Sequence, residues 1–359
     1  MRTAIVSDLH LGLAGDEDIL RDPSVRRVLL DEIGGADRLV LLGDAVELRT
    51  LPLGISLERA RPFFEDLGEA IGEVEVVLVP GNHDHRLAEP LLDRLSLDDE
   101  PLGLEHLHAP EGPSSLIDEW LGLARLRIAY PGIWLREDIY ATHGHYMDAH
   151  LAIPRAECIA AATIARGLGQ VPAQATPADY ERVLRPLYGL AYGLAQAMRT
   201  RPRGTGLTER AREVLADPQR HRSLRARAAR AAFPPTVGAL NSLLRTAFQA
   251  DVSIKAITRN GVEAAAELSS RLGLGEVHLI VGHTHRPGPL PDDPEWPLPG
   301  GGRLHNTGSW IFFEALQPTG SPPNSYWPGT VTWLENDSPP RRVRLLLDRS
   351  HEELAELVN

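Results

Sequence analysis

Five short segments of the chain carry side chains that bind metal ions and transfer protons in proteins. In chain order they read DLH (8–10), GD (43–44), GNHD (81–84), HGH (143–145) and GHTH (282–285). Together they supply carboxylates, an amide and imidazoles, which are donors that Mn, Fe(II) and Zn accept, and they supply no thiolate. This donor set argues against a structural zinc site of the cysteine type. It offers more ligands than one ion needs and suits two ions that share a bridging ligand.

Each of these segments follows a short apolar run with the composition of a buried strand. The runs cover residues 3–7, 38–42, 74–79, 139–142 and 277–281, and helical patterns at 23–35 and 56–72 separate the first three. Alternation of strands and helices predicts an α/β sheet, in which the carboxyl ends of the strands meet at one crevice. A single histidine after a strand is usually structural, but five such segments indicate one shared site.

Length and composition limit the classes of protein that this chain can represent. It has 359 residues, 43% of them hydrophobic, with one cysteine and a formal net charge of −12. The sequence predicts no membrane-spanning run, no signal peptide and no disulfide framework, so we expect a cytoplasmic globular protein. The negative charge makes nucleic acid an unfavourable partner.

The sequence divides into a strand-rich part and a helical part. Residues 1–148 and 272–348 are predicted to form one core. The second part of this core contains further β-like segments at 303–313, 329–335 and 341–347. Residues 349–359 are predicted to form a C-terminal tail. Residues 149–271 are rich in Ala, Leu and Arg at helical spacing and are predicted to form an inserted helical lid.

Ten arginines lie between Arg199 and Arg230, inside the predicted lid. One interpretation of this arginine-rich stretch is a positive surface that attracts an anionic substrate or makes peripheral contact with a membrane. The other is a solvated helix face whose arginine stems cover apolar surface. The sequence leaves both open.

The five segments, in this order, resemble the signature of the calcineurin-like metallophosphoesterases, which is D-x-H, G-D, G-N-H-[DE], H-G and G-H-x-H. Each motif is weak by itself, whereas the complete ordered set is specific. The resemblance covers roughly residues 1–150 and 272–348. It implies a four-layer α/β/β/α sandwich with the helical part inserted, and a hydrolase that acts on a phosphodiester, a phosphomonoester or a pyrophosphate.

The resemblance also implies a role for each residue of the motifs. It implies two divalent metal ions, with Mn favoured and Fe, Zn, Co or Ni as alternatives, and a metal-bridging hydroxide that attacks phosphorus. The ligands of one ion would be Asp8, His10 and His285, those of the other Asn82, His143 and His283, and Asp44 would bridge the two. His83 would be the general acid that protonates the leaving oxygen. Asp84 would accept a hydrogen bond from the other ring nitrogen of His83, or serve only as a loop or cap residue.

Residues next to the ligands are predicted to face the substrate, a small phosphorylated molecule of nucleotide or lipid type. Arg286 directly follows the last ligand and suits a bidentate contact with a phosphate. His145 is interpreted either as a substrate contact or as a structural hydrogen-bonding residue. The segment HNTGSW, residues 305–310, is predicted to support the site.

Details of the motifs separate the branches of the family without naming the substrate. Glu47 stands where purple acid phosphatases carry a tyrosinate ligand, which argues against that branch. GHTHRP, GDxxE and the position of the insert are similar to the UDP-diacylglucosamine pyrophosphatases, but His83 and the HGH segment depart from that branch, so only the idea of a lid is taken from it.

Two further hypotheses belong to other functional classes. The first is a non-catalytic scaffold on the same fold, which loss of ligands would mark, and no ligand is missing here. The second is a membrane-surface protein that acts through its arginine-rich stretch.

Overall fold

The computed structural model describes residues 1–15, 17–197, 224–313 and 324–358. Its strands are β1 (Arg2–Val6), β2 (Arg38–Leu41), β3 (Glu75–Leu78), β4 (Glu105–His108), β5 (Arg125–Arg136), β6 (Ile139–Thr142), β7 (His278–Val281), β8 (Leu304–Asn306), β9 (Thr330–Glu335) and β10 (Arg341–Arg344). Its α-helices are α1 (Pro23–Ile33), α2 (Leu53–Ile71), α3 (Glu89–Leu97), α4 (Ser114–Leu121), α5 (Ala156–Leu168), α6 (Pro177–Ala197), α7 (Leu224–Leu244), α8 (Ile254–Arg271) and α9 (His351–Leu357). The arginine-rich stretch falls mostly on 198–223, outside the described residues.

The strands form one mixed sheet in the order β10-β9-β1-β2-β3-β5-β6-β7-β8, with β4 paired to β5. Strands β1, β2, β3 and β5 are parallel neighbours, and so are β6, β7 and β8. Antiparallel pairs join β9 to β1 and β5 to β6. Helices flank the sheet, so the α/β class expected from the sequence is confirmed.

The central strands are buried on both faces, which explains their nearly continuous apolar sequences. In β1, for example, Ala4 and Val6 belong to a large core cluster that includes α1 and α2, whereas Ile5 belongs to a second cluster. The same alternation runs through β2 and β3, because successive side chains of a strand point to opposite faces.

The long strand β5 divides the sheet into two halves that share a core. Its first half pairs with β3 and β4, and its second half pairs with β6, across a register shift between Trp134 and Arg136. The second core cluster contains Ile5 from the first half together with Ala141 and Ile280 from the other. We call this shared cluster the inner core, since it lies between the two halves.

The chain divides into two compact units. One consists of Met1–His145, Tyr188–Arg201 and Glu276–Asn359, and the other of Tyr146–Leu187 and Pro202–Gly275. The second unit carries α5, the first part of α6, α7 and α8. Within it the Tyr146 hydroxyl donates to Glu181 at 2.6 Å and the Tyr146 ring stacks on Tyr180. Among the described residues, no helix combines the length and the apolar character that crossing a membrane requires.

Candidate metal centre

The structure brings the seven predicted ligands together at the carboxyl ends of five strands. Asp8 and His10 follow β1, Asp44 follows β2, Asn82 follows β3, His143 follows β6, and His283 and His285 follow β7. Donor atoms of Asp8, His10 and His285 lie within 4.8 Å of one another, as do those of Asp44, His143 and His283. Side chains from residues 8 to 285 therefore form a single cluster.

In the first group, Asp8, His10 and His285, the two histidine rings contact carboxylates directly. His285 Nε2 lies 3.1 Å from Asp8 Oδ1, and His10 Nε2 lies 3.7 Å from Asp44 Oδ2. His10 uses its other ring nitrogen, Nδ1, for a contact with Glu47 at 3.1 Å. The Nε2 atom of His10 is therefore aimed at the carboxylates.

The second group surrounds the amide oxygen of Asn82. His143 Nε2 lies 3.2 Å from Asn82 Oδ1, and His283 Nδ1 lies 3.1 Å from the same oxygen. His143 Nε2 is also 3.1 Å from Asp44 Oδ2. One carboxylate oxygen of Asp44 is thus close to donors of both groups, which is the position that a shared ligand requires.

The backbone is strained at the ligands. Asp8, His10, Asp44, His283 and His285 all have positive φ, between 47° and 64°, a conformation that residues other than glycine rarely adopt. Each such residue costs about 1–3 kcal/mol, and such costs cluster at functional sites. Here the strain turns the side chains of successive strands toward one point.

Gly81 allows the strands to approach this closely. A Cβ atom at Gly81 would overlap Asp44 Oδ1 and the ring of His143. Any other residue at this position would therefore displace two ligands, which explains the glycine of the GNHD segment.

The carboxylates make the centre favourable for positive charge. Burial acts to raise the pKa of Asp44, but His143, His83 and His10 hold it well below its usual value. Burial acts to lower the pKa of His143, yet Asp44 and Asp8 raise it to about 10. The site thus keeps its acids ionised, which is the form that binds metal.

The donor set fits divalent metal ions. Carboxylate, amide and imidazole donors suit ions such as Mn, Fe and Zn. The buried Nε2 of His10 has no hydrogen-bond partner among the described residues. A buried imidazole nitrogen aimed at carboxylates and left without a partner is costly, and a metal ion would satisfy it.

Glu47 holds the ring of His83, a contact that the sequence analysis missed. His83 Nδ1 lies 2.5 Å from Glu47 Oε2, the same oxygen that contacts His10. The Glu47 side chain is fully buried, whereas that of His83 is 25% exposed. The signal was present in the sequence, because Glu47 follows Asp44 by three residues in GDxxE. Sequence reasoning treats Glu47 only as a marker of the family branch and does not connect it with His83.

The partner predicted for His83 must therefore be corrected, because Asp84 does not contact that ring. Asp84 accepts hydrogen bonds from the backbone N–H groups of Asp44, Ala45, Val46 and Gly81, at 2.6–3.3 Å. Its carboxylate is surrounded by backbone donors of the two ligand loops. Asp84 is the loop residue that the sequence analysis gave as its alternative.

Replacing Glu47 with Gln should lower kcat by about 10- to 100-fold at saturating metal, because the ring of His83, the expected proton donor, loses the charged acceptor that orients it. The loss should be larger for substrates with poor leaving groups, since these depend most on proton donation. A series of aryl and alkyl phosphodiesters would measure it.

Asp84→Asn is the matched control for Glu47→Gln. It should lower stability by about 1–3 kcal/mol, because backbone donors lose a charged acceptor, and it should not steepen the dependence on the leaving group. Wild-type turnover of poor leaving groups by Glu47→Gln would show that the Glu47 contact has no catalytic role.

The guanidinium group of Arg286, which was expected to contact the substrate, is paired with a carboxylate of the protein. Its guanidinium forms a fork on Asp293, with distances of 2.9 and 2.6 Å, and the side chain is only 8% exposed. Asp293 also accepts from the backbone N–H of Leu290 at 2.7 Å. The two guanidinium nitrogens that were expected to bind a substrate phosphate therefore bind Asp293 instead, within the proline-rich loop 286–302.

His145 is buried beside the metal ligands. Its ring lies 5.7 Å from that of His143 and stacks on Tyr130, and its Nε2 is 3.4 Å from the Tyr130 hydroxyl. The ring of Tyr188 meets it edge-on at 5.6 Å. Of the two interpretations from the sequence, this surrounding favours the structural one.

The segment 305–310 packs behind the metal centre. Asn306 Nδ2 donates to the carbonyl of Gly282 at 2.7 Å and to Thr284 Oγ1 at 3.0 Å. Thr307 Oγ1 donates to Ser7 Oγ, which in turn contacts Asp8. These bonds connect β8 to the loops that carry the ligands.

Comparison with known proteins agrees with this geometry. A family model described as calcineurin-like phosphoesterase matches residues 1–160. A search of curated proteins found no match. Among solved structures, the chain matches the cold-active protein-tyrosine phosphatase of the psychrophile Shewanella sp. with 14% identity and a TM-score of 0.28, over 96% of this chain and 80% of that one. A TM-score this low supports no conclusion about fold or function.

The family match and the assembled site are complementary. The family model covers the loops that carry Asp8, Asp44, Asn82 and His143, and the fold adds His283 and the rest of its loop from beyond the matched residues. The family uses divalent metals, and the structure contains candidate His and Asp groups that could hold them. Residues 1–160 of the chain therefore match the calcineurin-like phosphoesterase family, the members of which are metal-dependent phosphoester hydrolases.

Proposed function

We propose that the chain is a dinuclear metallophosphoesterase that hydrolyses a small phosphorylated substrate, with His83 as the general acid. The proposal rests on one observation. Asp44 Oδ2 lies close to nitrogens of His10 and of His143, which belong to different ligand groups. A carboxylate in this position suits two ions rather than one. The mixture of imidazole, carboxylate and amide donors favours Mn, with Fe, Zn, Co or Ni as alternatives.

Two bound divalent ions would lower the pKa of water, neutralise phosphate oxygens and orient the substrate. Each group of residues then has a defined task. Asp8, His10 and His285 would hold one ion, Asn82, His143 and His283 the other, and Asp44 would contact both. The strained loops keep these donors in place before an ion arrives, so that little reorganisation accompanies binding.

His83 is suited to donate a proton. Its Nδ1 is held by the carboxylate of Glu47 at 2.5 Å, which leaves Nε2 for the substrate. The carboxylate at Nδ1 holds the ring in one orientation, as a positioned acid catalyst needs. His83 and His10 have ring centroids 4.5 Å apart, so the proton donor stands beside the metal ligands.

The accessible side of the centre is the side of His83 and His285. Their side chains are 25% and 20% exposed, whereas that of His10 is 4% exposed. Phe313 stacks on His285 with ring planes 4° apart. We infer that substrate reaches the ions between His83 and His285, with Phe313 at the edge of the entrance.

Reconstitution with single metals tests the proposed function. Full-length protein is stripped of metal, supplied in turn with Mn, Fe(II), Zn, Co, Ni and Mg, and assayed on bis-(p-nitrophenyl) phosphate and p-nitrophenyl phosphate. We expect turnover that depends on the metal and a stoichiometry of two ions per chain. Preference for the diester would direct the search toward diesters and pyrophosphates. Binding of one ion only, or turnover that persists without metal, would contradict the dinuclear mechanism.

A further inference from the structure

Two arginines lie on β10, at the edge of the sheet, and a third lies in the proline-rich loop directly after His285. Arg342 pairs with Thr332 across β9 and β10, and Arg344 pairs with Thr330. Paired residues project to the same face, and residues two apart share it. This face is the inner one, because Thr332 also pairs with Ile5 of the inner core.

The third arginine is Arg286 of the proline-rich loop. The positive charge of Arg286 lowers the pKa of Arg344. The charges of Arg286 and Arg342 both lower the pKa of Asp293. Arg342 also donates to the Pro289 carbonyl at 2.5 Å, which ties β10 to the loop. We call Arg286, Arg342 and Arg344 the arginine cluster.

The arginine cluster carries more positive charge than its neighbours neutralise. Among the described residues, Asp293 is the one carboxylate that forms an ion pair with these three guanidinium groups. Burial lowers the pKa of Arg342 to about 10, and burial together with the Arg286 charge lowers that of Arg344. Arg286 is buried, whereas Arg342 and Arg344 are half-buried, and a cation with restricted access to water is stabilised by a nearby counter-charge.

Several donors of this region also have no acceptor. The Nε atoms of Arg286 and Arg344 and the hydroxyls of Thr330 and Thr332 are buried without a hydrogen-bond partner among the described residues. Both threonines are 0% exposed, and Arg286 is 6% exposed. Four buried donors beside excess positive charge are what an anion with several acceptor oxygens requires.

We propose that the arginine cluster, with Thr330 and Thr332, binds a tetrahedral oxyanion of the type of inorganic phosphate. Guanidinium groups match the oxygens of such an anion in pairs, and hydroxyl groups donate to the remaining ones. Phosphate binding here does not depend on the proposed hydrolysis.

Equilibrium dialysis with labelled inorganic phosphate, at constant ionic strength in chloride, tests this proposal. The full-length chain is measured both loaded with metal and after chelation, so that phosphate held by metal ions is separated from phosphate held by the cluster. We expect one saturable phosphate per chain that survives chelation and that sulfate displaces. Arg344→Gln should weaken this binding by about tenfold or more, because a charged donor is lost.

The matched control is Arg341→Gln. Arg341 lies on the same strand with its side chain 56% exposed, so this variant should bind phosphate like the wild type. Thr332→Val keeps the size of the side chain and all charges, and should weaken binding several-fold even if Arg344→Gln fails to fold. The proposal is overturned if chelation abolishes phosphate binding, or if Arg344→Gln and Thr332→Val both retain wild-type affinity.

Discussion

Replacing Asp44 with Asn should abolish tight binding of both metal ions and lower kcat/KM by at least about a thousandfold, equivalent to roughly 4 kcal/mol of transition-state stabilisation. Asp44 Oδ2 lies 3.7 Å from His10 Nε2 and 3.1 Å from His143 Nε2. Neutralising it therefore removes charge from both ligand groups at once. Most other ligands contact donors of one group, so Asp44→Asn should have the largest effect on metal content.

Metal analysis after dialysis, together with turnover of bis-(p-nitrophenyl) phosphate, would measure the effect of Asp44→Asn. Asp292→Asn is a suitable control, since Asp292 is exposed in the proline-rich loop. The Asp292 variant should keep both ions and full activity. Retention of two ions per chain by Asp44→Asn would contradict the shared-ligand position.

Replacing His83 with Gln should leave both metals bound and lower kcat by about 10²- to 10⁴-fold. The side chain lies beside the ligands, with its ring edge-on to His10, but its Nδ1 is engaged by Glu47. Because a proton donor matters most when the leaving oxygen is basic, alkyl esters should lose more activity than p-nitrophenyl esters.

The metal content of His83→Gln separates catalysis from coordination. His83 also lies within 4.8 Å of donors of His10 and Asp44, close enough to act as a ligand. Loss of one ion in His83→Gln would assign His83 to the ligand set. Unchanged turnover of alkyl esters, with two ions present, would contradict the proton-donor role.

Local sequence signals were sufficient for the strands that carry the site. The apolar runs predicted at residues 3–7, 38–42 and 139–142 correspond to β1, β2 and β6, displaced by at most one residue at either end. Each run ends in glycine or a short polar segment, so both the strand and its carboxyl end can be located without tertiary information.

Strand β5 could not be predicted in the same way. It contains Pro131 and Gly132 in its middle, a pair that is typical of turns. The strand forms because it passes from one half of the sheet to the other, with Pro131 opposite Glu105 of β4 and Gly132 opposite Thr142 of β6. The pairing with β4 joins residues separated by a helix and two loops, so a local pattern around Pro131 and Gly132 cannot reveal it.

By itself the sequence determined which residue types reach the carboxyl ends of the strands, because a strand followed by Gly, Asp, Asn or His is a local pattern. Only the tertiary structure decided how the charged side chains pair. Asp84 is the acid next to His83 in sequence, yet the fold places Glu47, 36 residues away, on the ring and surrounds Asp84 with backbone N–H groups. Likewise Arg286 meets Asp293 within the folded loop. Pairing depends on distances of a few ångströms between loops, which spacing along the chain does not encode.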